Sequence, residues 1–224
     1  GNPIQFVEKF DGVTFRHAFM LLSEGRAVGS VKKQKRTQIL RLECPFDETD
    51  DDETVQRAVV DYYHERLQAP DAKKARDYLE KRGLGNEKLV HQFKLGYADA
   101  TLSLRLPVRE RADGKALRDK LCELGFYRKT GHEHLNGSLV VPIFDAVGNV
   151  AEVYGRKVTP HLRKGTPEHL YLPGPHRGIF NPEALKGREI ILCESIIDAL
   201  TFWHHGMENV CLLYTSPSPR DRYG

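Results

Sequence analysis

Glu189-Ile190-Ile191-Leu192-Cys193-Glu194-Ser195-Ile196-Ile197-Asp198-Ala199-Leu200 changes its period halfway along. The first half is a short β-branched run, the pattern of a buried strand, and Glu194 stands at its C-terminal end. The second half has helical spacing, so Asp198, four residues on, can face the same rim of a sheet as Glu194. The stretch therefore reads as a strand–acid–helix element. Two hard oxygen donors at such a rim suit Mg²⁺, which takes a few carboxylates and leaves its other positions to phosphate or water. An acid held at a helix N-terminus by the helix dipole is the other reading of the same residues.

The rest of the chain sets bounds. Its 224 residues suffice for one sizeable core or two small ones, and 40% hydrophobic with 29% charged residues fits a globular protein. No apolar stretch reaches transmembrane length and no signal-peptide pattern opens the chain, so the expectation is a cytoplasmic protein with no membrane partner. A net charge of +3 is too small to argue for nucleic acid by itself. Cys44, Cys122, Cys193 and Cys211 form no Cys-x-x-Cys pair, which points to free thiols in a reducing compartment. His132-Glu133-His134 and His204-His205 lack helical i, i+4 ligand spacing, so they read as ordinary imidazoles. A Walker-type phosphate loop and a Gly-x-Ser-x-Gly elbow are both absent.

Read in order, Ile4, Phe6, Val7 and Phe10 predict a helix stopped by Asp11-Gly12, and Thr14 caps a second carrying Phe15, Ala18, Phe19 and Leu22. Residues 25–53 read as a linker. Its basic run, Lys32-Lys33-Gln34-Lys35-Arg36, suits either solvent or a nucleic-acid backbone, and its acids Asp47 to Glu53 suit the start of the next helix. That helix runs from Thr54 to Leu67 with Val55, Val59, Tyr62 and Tyr63 on one face. A second carries Ala72, Ala75 and Leu79 and ends at Gly83, a third starts near Asn86, and a fourth spans Leu117 to Leu124. Residues 139–144 and 150–154 then read as two strands around a turn at Gly148-Asn149, with Pro142 better suited to an edge or strand end than to a central position. After Gly155 comes a basic Gly/Pro-rich stretch with Arg156, Lys157, Arg163, Lys164 and Arg177, among His169, Tyr171 and His176. It reads equally as a long surface loop or as a surface following a phosphate backbone with rings stacked on bases.

Five segments, in order, resemble the bacterial replicative primase family of the DnaG type. They are residues 1–18, the helices through Tyr62-Tyr63-His64 and Ala75 to Leu84, Phe93-Lys94-Leu95-Gly96-Tyr97-Ala98, the hairpin with Val141-Pro142-Ile143-Phe144-Asp145 and Gly155-Arg156, and Cys193 to Asp198. The last looks like the first acidic motif of the Toprim fold. The resemblance implies an enzyme that copies single-stranded DNA into short RNA primers from nucleoside triphosphates, with a replicative helicase as a further partner. It implies that Glu194 and Asp198 are catalytic acids on Mg²⁺ or Mn²⁺, and that Arg156, Lys157 and Arg177 hold template or nucleotide phosphate. It also implies a Zn²⁺ module upstream of Gly1 whose ligands this chain does not carry.

The expected fold is α+β. Residues 1–24 form the end of the zinc module, 25–53 a linker, 54–187 the N-terminal part of the primase core and 188–212 the first βαβ unit of a Toprim domain. Residues 213–224, with Ser216-Pro217-Ser218-Pro219, look like a translated adapter. The expectation is therefore a fragment, inactive as it stands, of a longer enzyme. Three positions depart from the family: Ser195 replaces a glycine, and Ser138 and Glu168 stand where basic residues are usual. The last two support an alternative, a primase-derived DNA-binding module that no longer catalyses; a Toprim nuclease or topoisomerase-like protein is the other.

Overall fold

In the computed structural model residues 2–25 and 42–213 are described. The basic run Lys32 to Arg36 lies outside them, as does the tail expected over 213–224 except Leu213, which pairs with Ile179 as the end of a strand.

The chain opens with a helical hairpin. Asn2 caps α1 (Pro3–Asp11), Gly12 at φ 66° ends it, and Thr14 caps α2 (Phe15–Ser23). Val7, Ala18, Met20 and Leu21 pack with Leu42 into a small core of their own. The sequence pattern placed Phe6, Phe10 and Phe15 on the inner faces, but all three are exposed, and Phe6 stacks on Phe10 at 5.4 Å. The two phenylalanines are i, i+4 neighbours and satisfy each other along one stripe, while Val7 turns toward α2.

Helix α3 (Asp52–Gln68) begins two residues before the expected start because Asp51, not a later residue, accepts the Thr54 amide at 2.7 Å. Asp52 and Glu53 fill its first turn, where the dipole favours acids. A 3₁₀ turn at Pro70–Ala72 leads into α4 (Lys73–Lys81), and the Arg76 guanidinium caps the end of α3 by donating to the carbonyls of Leu67 and Ala69. Next come α5 (Glu87–Gln92), β1 (Gly96–Ala98), α6 (Leu102–Arg105) and α7 (Ala112–Glu123). Helix α7 starts five residues before the expected one, in a stretch with no apolar period. Gly114 permits this, since a Cβ there would collide with the Val108 carbonyl.

Strands β2 (Ser138–Phe144) and β3 (Val150–Lys157) form the expected hairpin. Its connection is wider than a two-residue turn: Asp145 Oδ1 accepts from the amides of Val147 and Asn149, and Gly148 takes φ 89°. With β4 (His169–Tyr171) the sheet order is β1-β2-β3-β4, antiparallel throughout. Arg156 and Lys157 therefore end a strand, and His169 and Tyr171 sit on the next one. This corrects the loop reading, in which Gly155 looked like a terminator. Pro142 pairs with Val153 but lies past Val140, where β1 stops, so its missing amide breaks no ladder on that side.

The chain closes with β5 (Ile179–Phe180), β6 (Ile191–Leu192), α8 (Ile196–His204) and β7 (Val210–Leu213), in sheet order β5-β7-β6. Strands β6 and β7 are parallel across α8, which is a βαβ unit. The buried strand expected over 189–193 is a correction: only two residues form β6, with Ile190 41% and Leu192 65% exposed. β6 pairs on one side only, as a sheet edge, so its apolar run is not enclosed.

Strand β2 divides two cores. Leu139, Val141 and Ile143 face α4, α5, α8 and β7, while Val140 faces α3, α6 and α7. Burying each of these side chains contributes about 1.5–3 kcal/mol, and burial on both faces explains the unbroken apolar run. Phe93 stacks on Phe180 at 4.7 Å and meets Trp203 edge-on at 5.2 Å, which joins the two sheets.

The backbones of β1 and α3 approach closely at Gly96. A Cβ on Gly96 would stand 2.7 Å from the Tyr63 carbonyl carbon. Gly96→Ala should lower the unfolding free energy by about 1–3 kcal/mol or more in urea titrations, because backbone cannot yield as a side chain can. An unchanged midpoint would show that this approach is not tight.

Candidate nucleic-acid interface

Residues 126–134 form a narrow tongue. Tyr127 bridges Glu133, the His134 amide donates to Phe126 O at 2.8 Å, and the Arg128 amide donates to His132 O at 2.9 Å around Gly131 at φ 85°. The tongue, the end of β3 and the Thr166-Pro167 segment enclose a cleft of about 220 Å³, lined by Arg128, His134, Asn136, Lys157, Thr166 and Leu170 among others. Lys157 Nζ donates to the Asn136 carbonyl. Burial, and then the charge of Arg128, push the Lys157 ammonium below the ordinary lysine value. His134 is likewise lowered by burial, with Arg128 and Lys157 adding to the effect against the bond to Tyr171 O. Two cations that repel across a half-buried cleft make a place where an anion relieves strain.

Tyr63 from α3 and the Leu102 amide hold the base of this tongue through Glu133, whose carboxyl accepts from them at 3.4 and 3.1 Å. Burial, and then the neighbouring Asp99, raise Glu133 to about 7.

Successive residues on a strand point to opposite faces, so Arg156 leaves Lys157 and sits on the face of Tyr154, toward Tyr78 of α4. Arg156 Nη1 reaches Glu168 Oε2 at 2.6 Å and His169 Nε2 at 2.7 Å, and His169 Nδ1 meets the Tyr154 hydroxyl at 2.7 Å. Tyr78, under a cation–π contact from Arg82, completes this aromatic and basic surface beside Arg156. Arg177 is exposed and makes no ion pair among the described residues. The three cations grouped by sequence therefore occupy different surroundings. Arg128 and Asn136 escaped that reading because the tongue is too short to show any periodicity.

Glu194 follows β6 and directly precedes Ser195, the N-cap of α8. Ser195 takes φ −136°, which any residue adopts, so a glycine is not required there. Ser195 Oγ accepts from the Asp198 amide at 3.2 Å and donates to Asp198 Oδ2 at 2.7 Å. Asp198 therefore serves the helix end as the dipole reading proposed, while both acids remain exposed. Among the described residues no group of three or more metal-ligating side chains is gathered, all four cysteines are free, and no helix is long and apolar enough to cross a membrane.

Residues 62–185 match the family model described as DNA primase catalytic core, N-terminal domain. The chain is 27% identical over 195 residues to the DNA primase of Salmonella typhimurium, covering 84% of this chain and 29% of that protein. It is 24% identical over 240 residues to the DNA primase of Halalkalibacterium halodurans, covering 96% and 37%. It thus spans about a third of the length of these relatives. Among solved structures, a DnaG primase catalytic domain bound to single-stranded DNA superposes with TM-score 0.60 at 22% identity, over 76% of this chain and 57% of that one. The zinc-binding and RNA polymerase domains of Aquifex aeolicus primase give 0.59 at 21%, over 99% and 53%. These likenesses establish the fold.

Because Glu133 is raised from 4.5 to about 7 on folding, its contribution to stability is complete below pH 4.5 and lost as pH rises through 7. Glu133→Gln should remove this slope and be more stable than the parent at pH 8.5 by about 2–3 kcal/mol, with little difference at pH 4.5. Urea unfolding across that range checks it, and parallel curves for the two proteins would refute it.

Proposed function

The chain belongs to the DNA primase family through the N-terminal domain of the catalytic core, and from that premise we propose that it holds single-stranded template for primer synthesis. The observation that carries this reading is the cleft in which Arg128 and Lys157 converge with no ion pair to either side chain among the described residues, the Glu133 carboxyl that also lines it being engaged by Tyr63 and the Leu102 amide. A phosphodiester there replaces mutual repulsion by two charge-assisted contacts. On the opposite face of β3, Tyr78, Tyr171 and His169, none of them buried, offer rings beside Arg156 above the buried Tyr154, the pairing of stacking and charge that suits unpaired nucleotides. Arg177, exposed and unpaired among the described residues, extends that cationic surface.

In this reading residues 54–187 are the N-terminal part of the core and 188–212 begin a Toprim domain. The full-length protein copies single-stranded DNA into short RNA primers from nucleoside triphosphates in the cytoplasm, with a replicative helicase as partner and Zn²⁺ in an upstream module. Glu194 receives no hydrogen bond among the described residues, and Asp198 gives one oxygen to Ser195, so exposed carboxylate oxygens remain for a cation. That donor set fits Mg²⁺ or Mn²⁺ shared with substrate phosphates, although it makes no complete protein cage. Such an ion supplies neutralisation of phosphate charge and stabilises attacking and leaving oxygens. The chain's own residues do the rest: Ser195 orients Asp198, β6 delivers Glu194 to the same helix end, and the cations of β3 and the tongue fix the template backbone.

Primer synthesis by the full-length protein on a single-stranded template with Mg²⁺ tests the reading. Glu194→Gln should reduce incorporation at least about 100-fold while leaving oligonucleotide affinity within about twofold. Template binding without any incorporation by the parent would instead favour the non-catalytic DNA-binding module. Lys157→Met should weaken oligonucleotide binding at every sequence and reduce the salt slope by about 0.7. An unaltered slope would remove Lys157 from the interface.

A further inference from the structure

Arg156 already holds an anion, and the anion belongs to this chain. Its Nη1 lies 2.6 Å from Glu168 Oε2, a charge-assisted contact with the geometry a phosphate oxygen would adopt. The two partners differ sharply in exposure: the Arg156 side chain is 14% exposed and that of Glu168 is 58%. The guanidinium is fixed in place and the carboxylate can swing into solvent.

The fixing of Arg156 follows from donor and acceptor roles. A guanidinium can only donate, so His169 Nε2 at 2.7 Å must accept, and the proton on Nδ1 then points to the Tyr154 hydroxyl at 2.7 Å. Strand β4 therefore orients the cation from beside it. The main chain of Glu168 is tied as well, since its carbonyl accepts the Lys157 amide at 2.8 Å. That bond sets the acid next to Arg156 whatever its side chain does.

We infer that Glu168 is a built-in competitor for phosphate on Arg156, a residue that lowers and tunes the affinity of this face for the nucleic-acid backbone. The inference rests on the reading of this face as a single-strand interface. A phosphate at Arg156 meets a site whose net charge Glu168 has already cancelled, so few of the cations condensed on the nucleic acid are released and the contact adds little to the salt dependence. The carboxylate half of this pair is open to solvent, where screening weakens its hold, so the exchange is reversible at ordinary oligonucleotide concentrations. Removing the carboxylate turns Arg156 into an open phosphate site.

The experiment is a salt titration of binding to a fluorescent single-stranded oligodeoxythymidine by the full chain, followed by anisotropy. Glu168→Gln should bind about three- to tenfold more tightly at low salt, with a slope of log affinity against log salt steeper by about 0.7. In an Arg156→Gln background the same Glu168→Gln change should alter affinity less than about twofold. An equal gain in both backgrounds would mean that net charge alone is responsible and would overturn the inference. So would an unchanged slope in Glu168→Gln, a comparison that stands even if Arg156→Gln fails to fold. If Glu168→Gln changes nothing while Lys157→Met still weakens binding, the interface stands and the competitor does not. Absence of binding by every form, Glu168→Gln included, would remove both.

Discussion

Asp99 is the carboxylate on which the arrangement of this chain turns. Its side chain is almost wholly buried, and it accepts from Arg66 Nε at 2.9 Å and Nη2 at 2.8 Å, from Arg16 Nη2 at 3.1 Å, and from the amide and hydroxyl of Thr101. Arg66 also reaches Asp71, so one network links the N-terminal hairpin, α3, the turn into α4 and the end of β1. A buried charge is tolerable only when so fully satisfied, and losing one partner leaves the others uncompensated. Arg105 makes the second tie to the hairpin, through Glu24 and the Glu43 carbonyl.

The consequences of Asp99 reach the tongue. Its negative charge is one cause of the raised Glu133, and Glu133 in turn is the strut between α3, α6 and the tongue that carries Arg128 and His134. The basic cleft is thus positioned by an acidic interior. Cations gather on the surface while the carboxylates that orient their loops stay inside, each with its own donors. This separation of charge allows a chain with little net charge to present a strongly basic local surface.

The two faces of β3 use their charge differently. Lys157 and Arg128 are left to repel each other, whereas Arg156 is neutralised by Glu168. Glu168 stands where the family resemblance leads one to expect a base, and its carboxylate turns to Arg156. The change is a local trade between affinity and reversibility at one phosphate position. It does not by itself argue that catalysis has been abandoned, because Glu194 and Asp198 lie in a separate βαβ unit.

Local signals determined much of this protein. The cap at Thr14, the helix start at Asn86, glycines at Gly12 and Gly83, and the apolar run of β2 are properties of neighbouring residues, and they marked their elements to within a few positions. The strand–acid–helix element around Glu194 was legible for the same reason. Where the sequence misled, the deciding contact was distant. Strand β3 runs on through Gly155 because Leu135 and Ser138 fill the space a side chain would take. β6 is exposed because only β7 pairs with it. Tertiary structure alone decided that Lys157 joins Arg128 and Asn136 while Arg156 meets Glu168, since strand alternation separates adjacent residues and packing brings together residues tens of positions apart. Charge type can be read along a chain, but the partner that satisfies each charge is chosen by the fold.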